Sequence, residues 1–293
     1  MGKEIMKTPP TSIGKWKVLC IMGKGGFGVV VKAVTGQYEL HDEGKSTAPP
    51  PPTTIAIKCI QIETEKDLER AHREICLHSK LNHKNIVQFL GDQIDETGSG
   101  FHYILMEFVP SCVRNLVKEH GPVRGHRAKR MAMDVIEALW YLHCKGIMHC
   151  DVKPENFLYF EAKTQLKLCD FGLARSVYGD VPGKQRLFRG KPGTKEYQAP
   201  EVLSELPRHG LPTDVWSLGI SLFYIIYGKR PWKRADHSCP AFVEWELYED
   251  ALFDPGQVVE KWVACVIRGC LRVSAGSRSS IEELRQDLIS SKV

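Results

Sequence analysis

The stretch His149-Cys150-Asp151-Val152-Lys153-Pro154-Glu155-Asn156, followed by Cys169-Asp170-Phe171-Gly172, combines polar residues whose types and spacing suit one reaction. Transfer of a phosphoryl group to a hydroxyl needs a carboxylate that accepts the hydroxyl proton, and oxygen ligands that hold Mg²⁺ against the ATP phosphates. Asp151 is the candidate proton acceptor, and Lys153 is the candidate for neutralising the migrating phosphoryl group. The candidate magnesium ligands are Asn156 and Asp170.

These two motifs resemble the catalytic loop and the Asp-Phe-Gly loop of the eukaryotic protein kinases. A surface loop of turn-forming residues can match either motif by chance, but here both occur in the order and separation of that family. The resemblance covers about residues 15–290. It implies an α+β, bilobal protein kinase-like fold, with a small antiparallel β-sheet lobe that carries one helix and a larger, mainly helical lobe. The predicted limits are a flexible lead-in over 1–14, a sheet lobe over 15–107 with a proline-rich insert at 35–54, and a helical lobe over 110–290.

The composition is that of an ordinary folded protein. A chain of 293 residues, 43% of them apolar, is long enough for one large or two modest domains. The net charge of +5 is too small to indicate nucleic acid binding. The 10 cysteines include no C-x-x-C pair, which favours reduced, buried thiols in a cytoplasmic or nuclear protein. No apolar run reaches membrane-spanning length, and the N-terminus lacks a signal-peptide core, so we expect no membrane partner.

A glycine-dense turn over 23–28 separates two predicted strands, at 16–22 and 29–33. Without side chains at Gly23, Gly25 and Gly28, backbone N–H groups could lie against a triphosphate. Dinucleotide-binding folds use the same glycine spacing, but there the glycines lead into a helix. Here a second strand follows, which favours a nucleotide-binding hairpin of the protein kinase kind.

A lysine and a glutamate complete the predicted phosphate grip. The stretch Ile55-Ala56-Ile57-Lys58 resembles the family's strand whose lysine holds the ATP phosphates. The motif Thr64-x-x-Asp67 is a capping box, and it predicts a helix that extends through about Ser79. The resemblance makes Glu74 on this helix the partner of the lysine. The alternatives that the residues alone leave open are Glu65 and Glu69.

The remaining ATP-binding residues follow from the resemblance. It makes Met106 the gatekeeper and 107–109 the hinge that binds adenine through its backbone. His78 stands where the family carries an aliphatic residue, and the sequence gives no reason for it. The complete predicted nucleotide-binding set is Met22, Gly23, Lys24, Gly25, Gly26, Phe27, Gly28, Val30, Ala56, Lys58, Met106, Glu107, Val109 and Leu158. The complete predicted catalytic set is Asp151, Lys153, Lys58, Glu74 and Thr194.

The second half of the chain is predicted to be helical. Apolar residues recur every three or four positions over 125–144, which predicts an amphipathic helix that ends at the catalytic loop. The resemblance also implies that Asp214 accepts backbone N–H bonds from that loop, and that Arg278 pairs with Glu201.

The stretch from Gly193 to Glu201 resembles the end of the activation segment in serine/threonine kinases, where Thr194 would bind Asp151 and Lys153. The implied function is transfer of the ATP γ-phosphate, with Mg²⁺, to serine or threonine hydroxyls of protein substrates. One alternative is a pseudokinase scaffold that binds nucleotide without turnover. Another is a small-molecule phosphotransferase.

The chain departs from the family at Cys150. Kinases commonly carry an arginine there, and that arginine binds a phosphate on the activation segment. Residues 179–193 contain no Ser, Thr or Tyr that could carry this phosphate. We therefore expect an activation segment that is set without phosphorylation in this span. Cys150 and Cys169 could sense oxidants, although neutral thiols are the simpler interpretation.

Clustered positive charges bear on the substrate. They would attract acidic or phosphate-primed protein substrates, whereas a solvated basic face is the simpler alternative. Glu155 argues the other way, because the same position helps basic-preferring relatives to bind arginine. The basic residues are Lys184, Arg186, Arg189, Lys191 and Lys195 on the activation segment, and Lys229, Arg230, Lys233 and Arg234 around Pro231-Trp232.

The proline run Pro49–Pro52 predicts a short polyproline II segment. Such a segment could dock into an SH3-type groove, or it could be a stiff, solvated loop.

Overall fold

The chain folds into two units: one is built on a sheet with a single described helix, and the other is mainly helical. The computed structural model describes residues 8–26, 28–35, 53–95, 98–161, 165–178, 186–204, 207–248, 252–253 and 259–291. The first unit comprises residues 1–82 and 87–109, and the second comprises 83–86 and 110–293.

The first unit is built on an antiparallel sheet in the order β1-β2-β3-β4-β6-β5. Its strand residues alternate between two faces, as the pleat of a strand requires. One face packs into an apolar core that includes Val31, Ile57 and Tyr103. The strands are β1 (Ser12–Ile13), β2 (Trp16–Gly25), β3 (Gly28–Thr35), β4 (Thr54–Gln61), β5 (Phe89–Ile94) and β6 (Phe101–Glu107).

The opposite face of this sheet carries predicted nucleotide-binding residues. Val30 lies directly across from Lys58, and Ala56 lies directly across from Met106. Because directly paired residues in a sheet point to the same side, these four side chains share one face. The strand register thus collects residues that are far apart in sequence.

The single described helix of the first unit, α1 (Glu65–His78), begins at the predicted capping box. The Thr64 hydroxyl accepts the Asp67 N–H at 3.3 Å, and the Asp67 carboxylate accepts the Thr64 N–H at 3.0 Å. The capping box is therefore confirmed, and the helix ends one residue before the predicted limit.

The structure explains why a histidine occupies position 78. It is 1% exposed, and its Nε2 lies 2.7 Å from the carbonyl oxygen of Val87. Its ring also packs edge-on against Phe89 at 5.5 Å. The imidazole therefore joins α1 to the segment that enters β5 through a polar contact that an aliphatic side chain could not make.

The first unit differs from the sequence prediction at its start. The predicted loose lead-in contains β1, which pairs with β2, and Ile13 is only 2% exposed because it enters the core. β2 also continues to Gly25 through two register shifts, so the glycine-rich turn is shorter than predicted. Residues 1–7, and the proline-rich insert from 36 to 52, lie outside the described residues.

The second unit is mainly helical and includes two small sheets. The predicted helix over 125–144 is confirmed with those bounds. The helices are α2 (Val113–His120), α3 (Gly125–Cys144), α4 (Pro200–Leu203), α5 (Leu211–Tyr227), α6 (Pro240–Leu247), α7 (Lys261–Cys270) and α8 (Ile281–Ser290). The strands are β7 (Ser111–Cys112), β8 (Ile147–Met148), β9 (Phe157–Phe160), β10 (Gln165–Leu168) and β11 (Arg175–Ser176).

Helix α5 is the centre of the second unit. Its Trp216 is fully buried and contacts an aromatic cluster formed with Trp232, Phe242 and Trp245. The guanidinium of Arg278 lies 5.1 Å from the Trp216 ring centre, a cation–π contact. Contacts between large buried aromatic rings therefore fix the position of helix α5 within the second unit.

Arg278 also forms the predicted ion pair with Glu201, through N–O distances of 2.7 and 3.2 Å. Its side chain is fully buried, and it donates further hydrogen bonds to the carbonyl oxygens of Arg272 and Pro212. These bonds tie the residues that follow the activation segment to the end of the chain.

The α+β fold class is confirmed: one sheet unit with a helix and one mainly helical unit. Residues 83–86 belong to the helical unit, however, and not to the sheet unit as predicted. The reason is that the Asn85 side chain donates to Leu166 O at 2.9 Å, and Ile86 bridges to Leu168. No helix in the described ranges is both long and apolar enough to cross a membrane.

We predict that Thr64→Ala destabilises the protein by about 1 kcal/mol, because α1 loses its N-cap. The hydrogen bonds from Thr64 lower the pKa of Asp67, first through its hydroxyl. A lowered carboxyl pKa contributes stability above the ordinary aspartate pKa and loses it as the pH falls. The difference in thermal stability between wild type and variant should therefore be largest at neutral pH and become smaller in acid, where only the loss of the cap remains. Thr64→Ser is the control, and a constant difference at every pH would contradict the prediction.

Candidate active site

The catalytic loop is held by a buried carboxylate on α5. Asp214 is 1% exposed and accepts the backbone N–H groups of His149 at 2.7 Å and of Cys150 at 2.8 Å. The Nε2 atom of His143 lies 3.2 Å from the same carboxylate. Cys150 has a left-handed backbone with φ of 70°, a strained conformation for a residue with a side chain. The two bonds to Asp214 hold this strained turn in place.

The structure brings two other predicted catalytic residues, Lys153 and Thr194, into contact with Asp151. Lys153 Nζ lies 2.6 Å from Asp151 Oδ2, and the Thr194 hydroxyl donates to Asp151 Oδ1 at 2.8 Å. The Thr194 N–H donates to the same oxygen at 2.9 Å, and Lys153 Nζ donates to the Thr194 hydroxyl oxygen at 2.8 Å. Asp151 is therefore held in one orientation from both sides.

Gly193 permits this arrangement, although no sequence motif assigned this glycine a role of its own. It has φ of +87°, and a Cβ there would lie 2.3 Å from the carbonyl oxygen of Cys150. Only glycine lets the activation segment approach the catalytic loop this closely. Its position directly before Thr194 was the available signal.

The two predicted magnesium ligands lie on adjoining loops. Asn156 Nδ2 donates to Asp151 O at 2.8 Å, which orients the amide so that its oxygen is the atom offered to a cation. The Cys169 N–H donates to Asn156 O at 3.0 Å. This bond joins the backbone of Asn156 to the residue directly before Asp170. Asp170 also has a left-handed backbone, with φ of 65°.

This donor set fits Mg²⁺ bound together with a nucleotide. Magnesium is commonly held by one or two carboxylates and by substrate phosphates, without a dedicated protein cage. One carboxylate and one amide oxygen match that pattern. Among the described residues, no group of three or more His, Cys, Asp or Glu side chains is placed to hold a metal.

The other predicted ionic contact lies within the first unit. Lys58 Nζ lies 2.6 and 2.8 Å from the two carboxylate oxygens of Glu74, and both residues are at most 5% exposed. Glu65 and Glu69, the alternatives from sequence, are not the acidic partner in this pair. The lysine is thus fixed on the sheet face that carries Val30 and Ala56.

In the glycine-rich hairpin, Gly28 cannot be replaced by a residue with a side chain, whereas the backbone at Gly23 and Gly26 is uncovered. At Gly28 φ is +145°, and a Cβ would lie 2.4 Å from Cys59 O, so a side chain cannot be accommodated. At Gly23 and Gly26, a Cβ would meet no described atom within 4 Å. This uncovered backbone fits the approach of a polyphosphate. Phe27 lies outside the described residues.

One backbone N–H group of the predicted hinge is already used in a hydrogen bond within the first unit. The Glu107 N–H donates to Gln88 O at 3.0 Å, so adenine would have to bind other backbone groups of the hinge. Met106 and Val109 are buried. Leu158 lies on β9 in the second unit, where it pairs with Lys167 and Cys112.

The cysteines behave partly as predicted. Burial, and then the Asp214 carboxylate, raise the pKa of Cys150 well above its ordinary value, so its thiol is neutral. All 10 cysteines lie in the described ranges, and none forms a disulfide. The expectation of burial is wrong for several of them, because their side chains point to solvent from strand or helix surfaces. The exposed cysteines are Cys20, Cys76, Cys144 and Cys265.

The activation segment is fastened by Arg208, which the sequence analysis missed. Phe188 and Arg208 exchange backbone hydrogen bonds at 2.9 and 3.2 Å, and Phe188 packs with Met148 and Val177. The Arg208 guanidinium, on a residue only 6% exposed, donates to Gly190 O at 2.5 Å. No short motif marks this arginine, because its partners lie far away in sequence.

Gln198 is a second fastening that the sequence did not reveal. It is 5% exposed, and its Nε2 donates to three successive carbonyl oxygens, those of Lys191, Pro192 and Gly193. This amide fixes the backbone directly before Thr194.

Comparisons with known proteins agree with this geometry. The family model described as "Protein kinase domain" matches residues 16–288. The chain is 30% identical over 287 residues to the serine/threonine-protein kinase chk-1 of Caenorhabditis briggsae, covering 95% of this chain and 54% of that protein. It is 28% identical over 271 residues to the serine/threonine-protein kinase grp of Drosophila melanogaster, covering 92% and 49%.

A third relative is the mitogen-activated protein kinase kinase kinase nsy-1 of Caenorhabditis elegans, 29% identical over 272 residues, with coverage of 91% and 17%. The chain thus spans about half the length of the first two relatives and a smaller part of the third. Since the family model matches nearly the whole chain, and Asp151 is engaged by both Lys153 and Thr194, the chain belongs to the protein kinase family.

Proposed function

We propose that this protein transfers the γ-phosphate of ATP to serine or threonine hydroxyls of protein substrates. The observation that carries the proposal is the convergence of Lys153, Thr194 and Asn156 on Asp151. The names of the relatives, which include two serine/threonine-protein kinases, support the same conclusion. The alternative is a pseudokinase scaffold that binds nucleotide without turnover.

In the proposed reaction, Asp151 accepts the proton of the substrate hydroxyl as that oxygen attacks the γ-phosphorus. Thr194 and Lys153 hold the carboxylate still, so little reorganisation is needed when the proton moves. The Lys153 ammonium also neutralises charge on the transferred group. Lys58, kept in place by Glu74, orients the ATP phosphates.

Asn156 and Asp170 are the proposed ligands of Mg²⁺. When bound, the ion would neutralise charge on the ATP phosphates and fix their geometry. The bond from Asn156 Nδ2 to Asp151 O ties the orientation of one ligand to the position of the proton acceptor.

The activation segment is proposed to take its working shape without a phosphate between 179 and 193. Neutral and cationic groups of the protein already supply the contacts: Arg208 binds Gly190 O, and Gln198 binds three carbonyl oxygens. Arg186 donates to Tyr178 O at 2.7 Å, so this arginine serves the segment itself. Residues 179–185, which include Lys184, lie outside the described residues.

Protein substrates with acidic or phosphorylated residues near the target hydroxyl are proposed from the basic side chains of the activation segment and from Lys229, Arg230 and Lys233. Arg234 is left out of this set because it is paired with Asp236. Docking of Pro49–Pro52 into an SH3-type groove stays a prediction, and this segment lies outside the described residues. A cytoplasmic or nuclear location also stays a prediction.

We predict that Asp151→Asn lowers kcat by roughly 100- to 10,000-fold, because a proton acceptor is lost while the shape of the side chain is kept. Turnover would be measured with radiolabelled ATP and a mixed protein substrate, and folding by thermal unfolding. ATP binding should persist. Wild-type protein that binds ATP but phosphorylates neither itself nor the substrates would support the pseudokinase instead.

We predict that Lys58→Met both slows turnover and destabilises the protein by roughly 3 kcal/mol, because buried Glu74 loses the cation beside it. The double variant Lys58→Met/Glu74→Gln should recover stability, since the glutamine is neutral, but not activity. Urea unfolding and kinase assays would separate the two effects. Recovery of turnover in the double variant would show that Lys58 acts only through stability.

We predict that phosphatase treatment leaves the activity of the recombinant protein unchanged. By contrast, Arg208→Gln should lower kcat roughly tenfold, as expected for the loss of one charge-assisted hydrogen bond. His209→Gln, at the exposed neighbouring position, is the matched control. Activity that collapses after phosphatase treatment would disprove activation without phosphate.

A further inference from the structure

A basic pocket of about 730 Å³ opens within the second unit beside the activation segment. Five cationic side chains line it, together with Tyr197, Tyr224 and Cys239, and none of the described lining residues is acidic. The five cations, which we call the basic pocket residues, are Arg114, Lys118, Lys229, Arg230 and Lys233.

Four of these cations lack an acidic partner among the described residues: Lys118, Lys229, Arg230 and Lys233. Their side chains are exposed, so they can turn toward a ligand at small cost. Arg230 lies over the Tyr197 ring, with 5.8 Å between the guanidinium carbon and the ring centre. The pocket therefore concentrates positive charge, and of its five cations only Arg114 is paired with a described carboxylate.

Glu155 argued in the sequence for a preference for arginine in the substrate, and its contact with Arg114 removes that argument. Its Nε lies 3.1 Å from Glu155 Oε1, so the carboxylate that could bind a substrate arginine is already paired with a cation. The other oxygen, Oε2, is buried and has no hydrogen-bond partner among the described residues. A substrate arginine would have to displace Arg114 and enter a field of four other cations.

Backbone groups add to the positive potential. Cys239 directly precedes α6 and lines the pocket. Partial burial acts to raise the pKa of its thiol, but the N–H groups of Lys233, Phe242, Arg234 and Ala241 outweigh this and lower the pKa. The wall thus favours a negative charge even on a protein side chain.

The position of the pocket links it to the transfer site. Tyr197 follows Thr194 in the same short 3₁₀ turn, and Glu155 lies in the turn that holds Asn156. A peptide whose hydroxyl reached Asp151 would pass near both turns.

Resting on the proposed kinase function, we propose that the basic pocket binds a phosphorylated serine or threonine side chain of the protein substrate, close to the hydroxyl to be phosphorylated. A phosphate group carries up to two negative charges and three acceptor oxygens, so it can use several of these cations at once. A single carboxylate can use fewer, and should bind more weakly.

The test uses peptides with one target serine in a neutral background. Phosphoserine, glutamate or arginine is placed at each flanking position in turn, and kcat/KM is measured with the full chain and radiolabelled ATP. At one position or more, phosphoserine should raise kcat/KM about tenfold over the neutral peptide through KM, with glutamate intermediate and arginine lowest. The preference should weaken with added salt, because the cations are exposed.

Variants locate the effect. In the variant Lys229→Gln/Lys233→Gln, the ratio of kcat/KM for the phosphoserine peptide to kcat/KM for the neutral peptide should fall close to one. Arg234→Gln should keep it, because Arg234 does not line the pocket and forms an ion pair with Asp236. Arg114→Gln should raise the rate with arginine peptides, since it uncovers Glu155.

A binding assay separates the pocket from turnover. Without ATP, fluorescence anisotropy should show tighter binding of the phosphorylated peptide to wild type than to Lys229→Gln/Lys233→Gln. The bound peptide should also slow alkylation of Cys239, but not of exposed Cys265, as mapped by mass spectrometry.

Equal rates and affinities for all peptides, a preference for arginine, or a phosphoserine preference that survives in the double variant would each overturn the inference. If no peptide is phosphorylated but the binding difference is present, the pocket stands and the proposed kinase activity fails.

Discussion

The hydrogen bonds from the catalytic loop to Asp214 are the constraint on which the site depends. A buried carboxylate is costly unless charge-assisted bonds compensate it, and here two loop N–H groups and His143 lie against it. In return, the carboxylate holds Cys150 in a left-handed backbone that it would otherwise leave. The core of α5, packed around Trp216, thereby sets the direction in which Asp151 points.

From this loop the order extends to the activation segment. Thr194 and Lys153 join the segment to Asp151, and the close approach is possible because Gly193 has no side chain. Arg208 and Gln198 then bind the backbone before Thr194 through its carbonyl oxygens. A carbonyl is present in every residue, whereas a phosphate has to be added after the chain is made. Binding to carbonyls therefore supports the proposal that this segment needs no phosphate between 179 and 193.

The charges around this segment fall into two groups with different uses. Arg208 and Arg186 are turned toward backbone carbonyls and serve the shape of the protein. The basic pocket residues are exposed, and four of them lack acidic partners among the described residues. A count of positive charges in the sequence cannot separate these uses, since both kinds are lysine or arginine near the same motif. The contacts in the structure do distinguish them, because Arg208 and Arg186 donate to backbone carbonyls whereas the basic pocket residues line an open pocket.

The sequence by itself determined the features that depend on near neighbours. The residue types from Asp151 to Asn156, the capping box at Thr64 and the apolar period of α3 all lie within a few turns of chain, where spacing dictates geometry. Only the tertiary structure decided that Arg208 reaches Gly190, that Arg114 covers Glu155, and that β1 adds Ile13 to the core. Such contacts join residues that are separated along the chain, and they exist only because packing brings their elements together.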